Sequence, residues 1–252
     1  MLSKFINLIT FRTLAELKSE ATRTYAGYLW WILEPLLSLG VYYVAFKYIY
    51  KSPPNNFLVF LFSGIVIYRF FAGTVSRSAD SITSGQGLMQ LVYVHKSIFP
   101  LSVVLVNLVK FLITMLLVMA AVWLSGIRPS LAYLGLPMLL LLQLLLTSGA
   151  AMVCAAITPF FPDFNLILST MLNLLIFLSG VFYDISKLSP TMQTLIRYNP
   201  MAAIIEQYRA ILLHGQWPNV WLLMPAIWEC AVLLVIGVLL IQKFNRYFPK
   251  IS

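Results

Sequence analysis

Six apolar stretches, each long enough to cross a bilayer, recur along a chain of 252 residues and leave little else. They run from about Ile32 to Tyr50, Phe57 to Val75, Leu101 to Ser125, Tyr133 to Ile157, Leu166 to Tyr183 and Trp221 to Ile241. In hydrocarbon each backbone amide has to be satisfied within its own segment, so such stretches fold as helices. The composition agrees: 61% of residues are hydrophobic and 10% charged, against about 25% charged in soluble domains. The expected fold is one all-α polytopic membrane domain over 1–252, with no soluble domain appended.

The charges then set topology. The net charge of +9 comes from cations scattered between spans, which excludes a clustered nucleic-acid surface and suits anionic headgroups. Six spans put both termini on one side, and that side holds Lys4, Arg12, Lys18, Arg23, Arg77, Lys96, Lys243, Arg246 and Lys250. The positive-inside rule places it in the cytoplasm. The N-terminus has charges of both signs and no short apolar core followed by small residues, so no cleavable signal peptide is expected. Cys154 and Cys230 fall within spans and read as apolar fillers rather than a disulfide or metal pair.

Between the spans lie four informative segments. Residues 2–22 alternate Leu2, Phe5, Ile6, Ile9, Leu14 and Leu17 with charges, the pattern of a helix lying on the membrane surface. Arg23 is the last cation before the first span, and Tyr25, Tyr28, Trp30 and Trp31 are amphipathic rings suited to headgroup depth. Glu34-Pro35 reads as the start of the first membrane helix, with proline in its first turn. Residues 76–100 are too polar to span and predict a short helix plus a loop. The long loop 184–220 predicts two short helices, capped at Ser189-Pro190 and Asn199-Pro200 and stopped at His214-Gly215. Arg197, Glu206 and Arg209 make this pair too polar to cross, leaving an outer position or a re-entrant hairpin packed on the bundle.

No Gly-rich phosphate loop is present, so the chain is not expected to bind ATP by that route. His95 and His214 fall on opposite sides, and the acids are scattered, which disfavours a metal centre or a catalytic cluster. Within the spans, Lys110 and Glu229 lie at comparable depth and could pair. Arg69 either meets an anionic substrate or snorkels to headgroups. Leu39, Tyr43, Phe46 and Tyr50 share one face of the first span, bordered by Tyr42; Phe177, Phe182 and Tyr183 mark the fifth. Such a stripe serves either helix packing or sugar stacking.

Gly27-Tyr-Leu-Trp30 with Glu34-Pro35, Gln86-Gly-Leu88 with His95-Lys96 and Pro100, the Pro162-Asp163 turn, and Asn199-Pro200 with Arg209 and Gly215 occur in that order. The ordered set resembles the permease subunit of ABC-type bacterial polysaccharide exporters, over nearly the whole chain. Gln86-Gly-Leu88 is more similar to the capsule branch than to the O-antigen branch, whereas Trp31 and the Tyr-Val-His before Lys96 depart from the pattern. The resemblance implies a channel-forming, non-enzymatic subunit in the bacterial inner membrane that exports a lipid-linked, acidic capsular polysaccharide. An O-antigen or teichoic-acid-type exporter is the alternative, and a membrane enzyme modifying a lipid-linked glycan a more distant one.

It also implies roles. Residues 1–31 would hold an interface helix and the substrate entrance at Arg23, Tyr25, Tyr28, Trp30 and Trp31. Residues 76–100 would dock on a separate ATPase subunit, present in two copies, through Ser78, Asp80, Gln86, Gly87, Leu88 and Lys96. ATP and Mg would bind that partner, with no cofactor in this chain. Residues 184–220 would form periplasmic gate helices around Pro190, Asn199, Pro200 and Arg209. Two copies of the chain would enclose a lumen lined by Tyr42, Tyr43, Phe46, Tyr50, Arg69, Phe177, Phe182 and Tyr183. A capsule exporter would add a periplasmic adaptor and an outer-membrane channel.

Overall fold

The computed structural model describes residues 2–23, 25–49, 56–91, 94–161 and 163–248, and these are helical with no strand. Helix α1 (Leu2–Thr22) buries Phe5 and Ile9 against Ile82, Met89, Ile98, Phe99 and Phe248, while Ile6, Phe11 and Leu14 stay exposed. One face gripped by protein and an apolar face left open is the arrangement of a helix at the bilayer surface. The chain then turns sharply at Gly27, whose φ is +48° and whose added Cβ would lie 2.9 Å from the Ala21 carbonyl oxygen. Only glycine accommodates both.

Helix α2 (Trp30–Ile49) begins four residues before Glu34, which corrects the expected start. A 3-10 turn at Gly27–Leu29 leads directly into it. The helix is therefore already formed when it reaches Pro35, which only forfeits one internal hydrogen bond. Helix α3 (Phe57–Ala79) is the centre of the bundle, buried along most of its length. Two short helices follow, α4 (Ser81–Ser84) and α5 (Gln86–Leu91), and then α6 (Ile98–Leu124) and α7 (Leu136–Ile157). Gln143 on α7 donates from Nε2 to the Ile67 carbonyl of α3 at 2.9 Å.

Among the described residues, five helical stretches, built on α2, α3, α6, α7 and the last helix α11 (Val220–Phe244), have the length and apolarity of membrane spans. The fifth expected span differs. Helix α8 covers only Phe164–Leu175, and after a 3-10 turn the chain reverses at Gly180 with φ +67°. Twelve residues rise about 18 Å, short of a bilayer core of about 30 Å. The returning segment carries α9 (Pro190–Arg197) and α10 (Pro200–His214). Ile204, Ile205, Tyr208, Ile211 and Leu212 of α10 are buried in the same core as α3 and α7, so α10 is embedded in the bundle rather than resting outside it. Its caps follow the sequence: Asn199 Oδ1 accepts from Met201 N at 3.0 Å, and Gly215 closes it at φ +63°. Ser189 makes no side-chain cap to α9.

The tightest seam joins α7 to α11. A Cβ on Gly149 would lie 2.8 Å from Leu234 N, and one on Gly237 would lie 2.9 Å from Met152 Cβ. Gly149→Val should destabilise the protein by about 1–3 kcal/mol, because backbone rather than a flexible side chain has to give way. Thermal unfolding in detergent reads this out, with Gly40→Ala, whose added Cβ meets nothing within 4 Å, as the neutral control.

Candidate functional site

A cavity of about 790 Å³ opens between α2, α3, α6 and α8. Its wall includes Trp31, Tyr42, Arg69, Arg77, Lys110 and Phe177. Arg69 is not free there: its Nη2 lies 2.7 Å from Glu34 Oε1, and its Nη1 donates to Ser38 Oγ at 3.0 Å. Phe182 lies 5.0 Å from Tyr42 and 5.2 Å from Phe177 between ring centroids, so an aromatic chain links α2 to the end of α8.

The expected path residues therefore separate. Tyr42, Arg69 and Phe177 line this cavity, as does Trp31 of the expected entrance. Tyr43 is half-buried against the main core, and Phe182 is buried. Phe182 and Tyr183 instead border a second cavity of about 920 Å³, with Glu206, Arg209, His214 and Trp217. The side chain of Phe46 and all of Tyr50 lie outside the described residues. Of the residues expected at the entrance, Arg23, Tyr25, Tyr28 and Trp30 are exposed, and Tyr28 meets Trp31 edge-on at 4.9 Å.

Sequence reading missed the clamp on α1. Arg77 at the end of α3 pairs with Glu16 at 2.9 Å and with Glu20, and Lys110 of α6 pairs with Glu20 rather than Glu229. Burial works against the Glu20 charge, but Lys110 and Arg77 outweigh it and hold the carboxyl below its ordinary range. Glu16 and Glu20 stand one turn apart, a visible acidic stripe on α1; their partners lie 57 or more residues away and carry no local signal.

The segment expected to couple to an ATPase presents a narrow surface. Gly87 and Leu88 of α5 are exposed and Gln86 half-buried, while Ile82 and Met89 anchor the segment in the core under α1. Gly85 packs flat on Phe99, where a Cβ would come within 2.1 Å of the ring. Asp80 is exposed and receives the side-chain amide of Asn165, joining this segment to α8. Ser78 and Lys96 are buried, which removes their side chains from a docking surface. Lys96 Nζ donates to the Val94 carbonyl at 3.0 Å, and burial lowers its pKa.

The residues expected at the gate act as staples. The last turn of α8 is met locally, Ser179 Oγ donating to Leu175 O at 2.7 Å and Tyr68 OH to Leu172 O, whereas the turn beyond it at Gly180 leaves backbone carbonyls that need donors from elsewhere. Arg209 Nη1 donates to Gly180 O at 2.6 Å, and its Nη2 to Val181 O at 2.7 Å and Phe60 O at 3.0 Å. Asn199 Nδ2 reaches Leu178 O at 3.2 Å and Ser179 Oγ at 3.0 Å. Pro190 and Pro200 occupy the first turns of α9 and α10, and Arg197 clasps Glu206 through two bonds of 3.0 and 2.7 Å. That bond to Glu206, more than burial opposes it, raises the Arg197 pKa. Among the described residues, no group of three or more His, Cys, Asp or Glu converges.

An O-antigen export system permease protein of Klebsiella pneumoniae is 26% identical over 99% of this chain and 96% of its own length. Another from Myxococcus xanthus is 28% identical over 81% of this chain and 79% of its length. A polysialic acid transport protein of Escherichia coli is 24% identical over 80% of each. The ABC-2 type transporter family matches residues 11–213, covering everything from the α1 clamp to the end of α10, and the chain belongs to that family.

Proposed function

We propose that this chain is the permease of an ATP-driven exporter that moves a lipid-linked polysaccharide across the bacterial inner membrane. The observation that carries the reading is the cavity lined by aromatic rings and three cations, in a transporter family whose similar members are named for O-antigen and polysialic acid export. Rings offer stacking faces for sugars, and Arg69, Arg77 and Lys110 suit an acidic polymer or headgroup. Two copies of the chain enclose the lumen: α2 and α8 leave long apolar faces exposed beside the cavity, such as Leu37, Val41, Ile167 and Met171. A two-fold pair covers these and joins two half-lumens.

Work is supplied by two ATPase subunits, which bind ATP and Mg and press on α5 from the cytoplasm, where both termini also lie. The outer hairpin α9–α10 gates the exit. Gln86-Gly-Leu88 favours a capsular polymer, delivered to a periplasmic adaptor and an outer-membrane channel. An O-antigen or teichoic-acid-type polymer is the second reading, favoured by the O-antigen relatives that align over 99% of the chain. Deleting the protein and staining fractionated cells for polysaccharide tests the role. Full-length polymer trapped inside with none at the surface is expected; altered polymer with no internal pool would mean a defect in synthesis instead.

A further inference from the structure

Arg77 and Lys110 serve two surfaces at once. Both line the cavity between α2, α3, α6 and α8, and both are held by carboxylates from α1: Arg77 by Glu16 and Glu20, Lys110 by Glu20. The side chains keep between 20% and 37% of their exposure, so ions from solution reach them. Asn107, on the same wall, has a buried Nδ2 with no acceptor among the described residues. Trp31 flanks Lys110, its ring centroid 5.6 Å from Nζ, and supplies an apolar wall.

The cations are thus neutralised by the chain's own acids, and those acids are what fasten α1 to α3 and α6. We propose that the cavity is an anion-exchange site: a diphosphate-type headgroup takes Arg77 and Lys110 from Glu16 and Glu20 and so releases α1. The inference rests on the exporter reading and names the headgroup of its lipid-linked cargo as the ligand. Charge count selects the chemistry. Two carboxylates have to be displaced together from two adjacent cations, which a compact polyanion does and a single sugar carboxylate does not. The unpartnered Asn107 amide adds a donor for a further oxygen. Linkage then works in both directions: a headgroup loosens α1, and a force that lifts α1 tightens the headgroup. Substrate loading is thereby reported to the cytoplasmic face on which α1 lies.

The test uses the full chain in phosphatidylcholine nanodiscs, titrated with farnesyl diphosphate. Pulsed electron resonance between nitroxides at Leu14 of α1 and Ser125 at the far end of α6 reads α1 in a Cys154→Ala, Cys230→Ala background. Farnesyl diphosphate should bind and shift the distance distribution. The double variant Glu16→Gln, Glu20→Gln should bind it on the order of tenfold tighter, with α1 already displaced. Lys110→Met should lose binding, and Lys110→Arg should retain it, which separates charge from folding. Inorganic diphosphate that binds as tightly and moves α1 as far supports the exchange and makes free phosphate the ligand's source. Discs of phosphatidylglycerol that displace α1 unaided overturn the requirement for a polyanion. Unchanged affinity in the double variant, or binding with α1 unmoved, overturns the exchange. Absence of binding in a protein whose deletion still traps polymer inside the cell overturns this site and leaves the exporter reading standing.

Discussion

Arg209→Met should destabilise the folded protein by on the order of 3–5 kcal/mol, the largest effect expected of any single outer-hairpin change. The loss follows from what the guanidinium satisfies rather than from its charge. Removing it strands the Gly180 and Val181 carbonyls, in the buried turn beyond α8, without the donors that satisfy them. The cation also stacks 3.5 Å from the centre of the Phe60 ring, and Asp184 and Glu206 supply the compensating negative field. Arg209→Lys should fail to rescue, because one ammonium cannot reproduce a planar fork that reaches three carbonyls. Yield of monodisperse protein and its unfolding temperature in detergent are the readouts. A variant with wild-type unfolding would mean that the break in α8 is held by Asn199 and apolar packing alone.

The second large effect concerns function without stability. Gly87→Glu combined with Leu88→Asp should reduce surface polysaccharide more than tenfold while membrane insertion and unfolding temperature stay unchanged. Both positions are exposed on α5, so the substitutions disturb no packing. They place two acids and extra bulk on the small surface of α5 that is proposed to meet an ATPase, where a rejected contact costs several kcal/mol. ATP hydrolysis by the partner should continue, disconnected from export. Normal export by the double variant would remove α5 from the coupling role. Met89→Asp is the contrasting control: Met89 is buried under α1, and its substitution should lower stability as well.

Much of the molecule was legible from residue order. The first four spans and the last agree with α2, α3, α6, α7 and α11 to within a few residues, because apolar length is a local property that the bilayer rewards directly. Asn199-Pro200 and Gly215 marked the cap and stop of α10 correctly, since backbone sign and cap chemistry involve only near neighbours. Glu34-Pro35 misled because proline is tolerated both in a first turn and, with one bond lost, further along.

What residue order left open was every pairing across the bundle. Hydropathy extended the fifth span through Val181 and Tyr183, yet α8 stops at Leu175 and the chain reverses at Gly180, a turn whose carbonyl accepts from Arg209, some 29 positions downstream. Arg209, expected among the gate residues, is buried and bonded to three backbone carbonyls, none of which its sequence neighbourhood announces. Lys110 could be matched with Glu229 by depth, but the position of α1 gave it Glu20 instead. The cavity likewise exists only where four helices diverge, and Tyr42 and Arg69 line it while Tyr43 packs away. Apolar transfer acts on each segment separately and is written along the chain. Hydrogen bonds and ion pairs in a low-dielectric interior need both partners in place, and that placement is a property of the packed bundle.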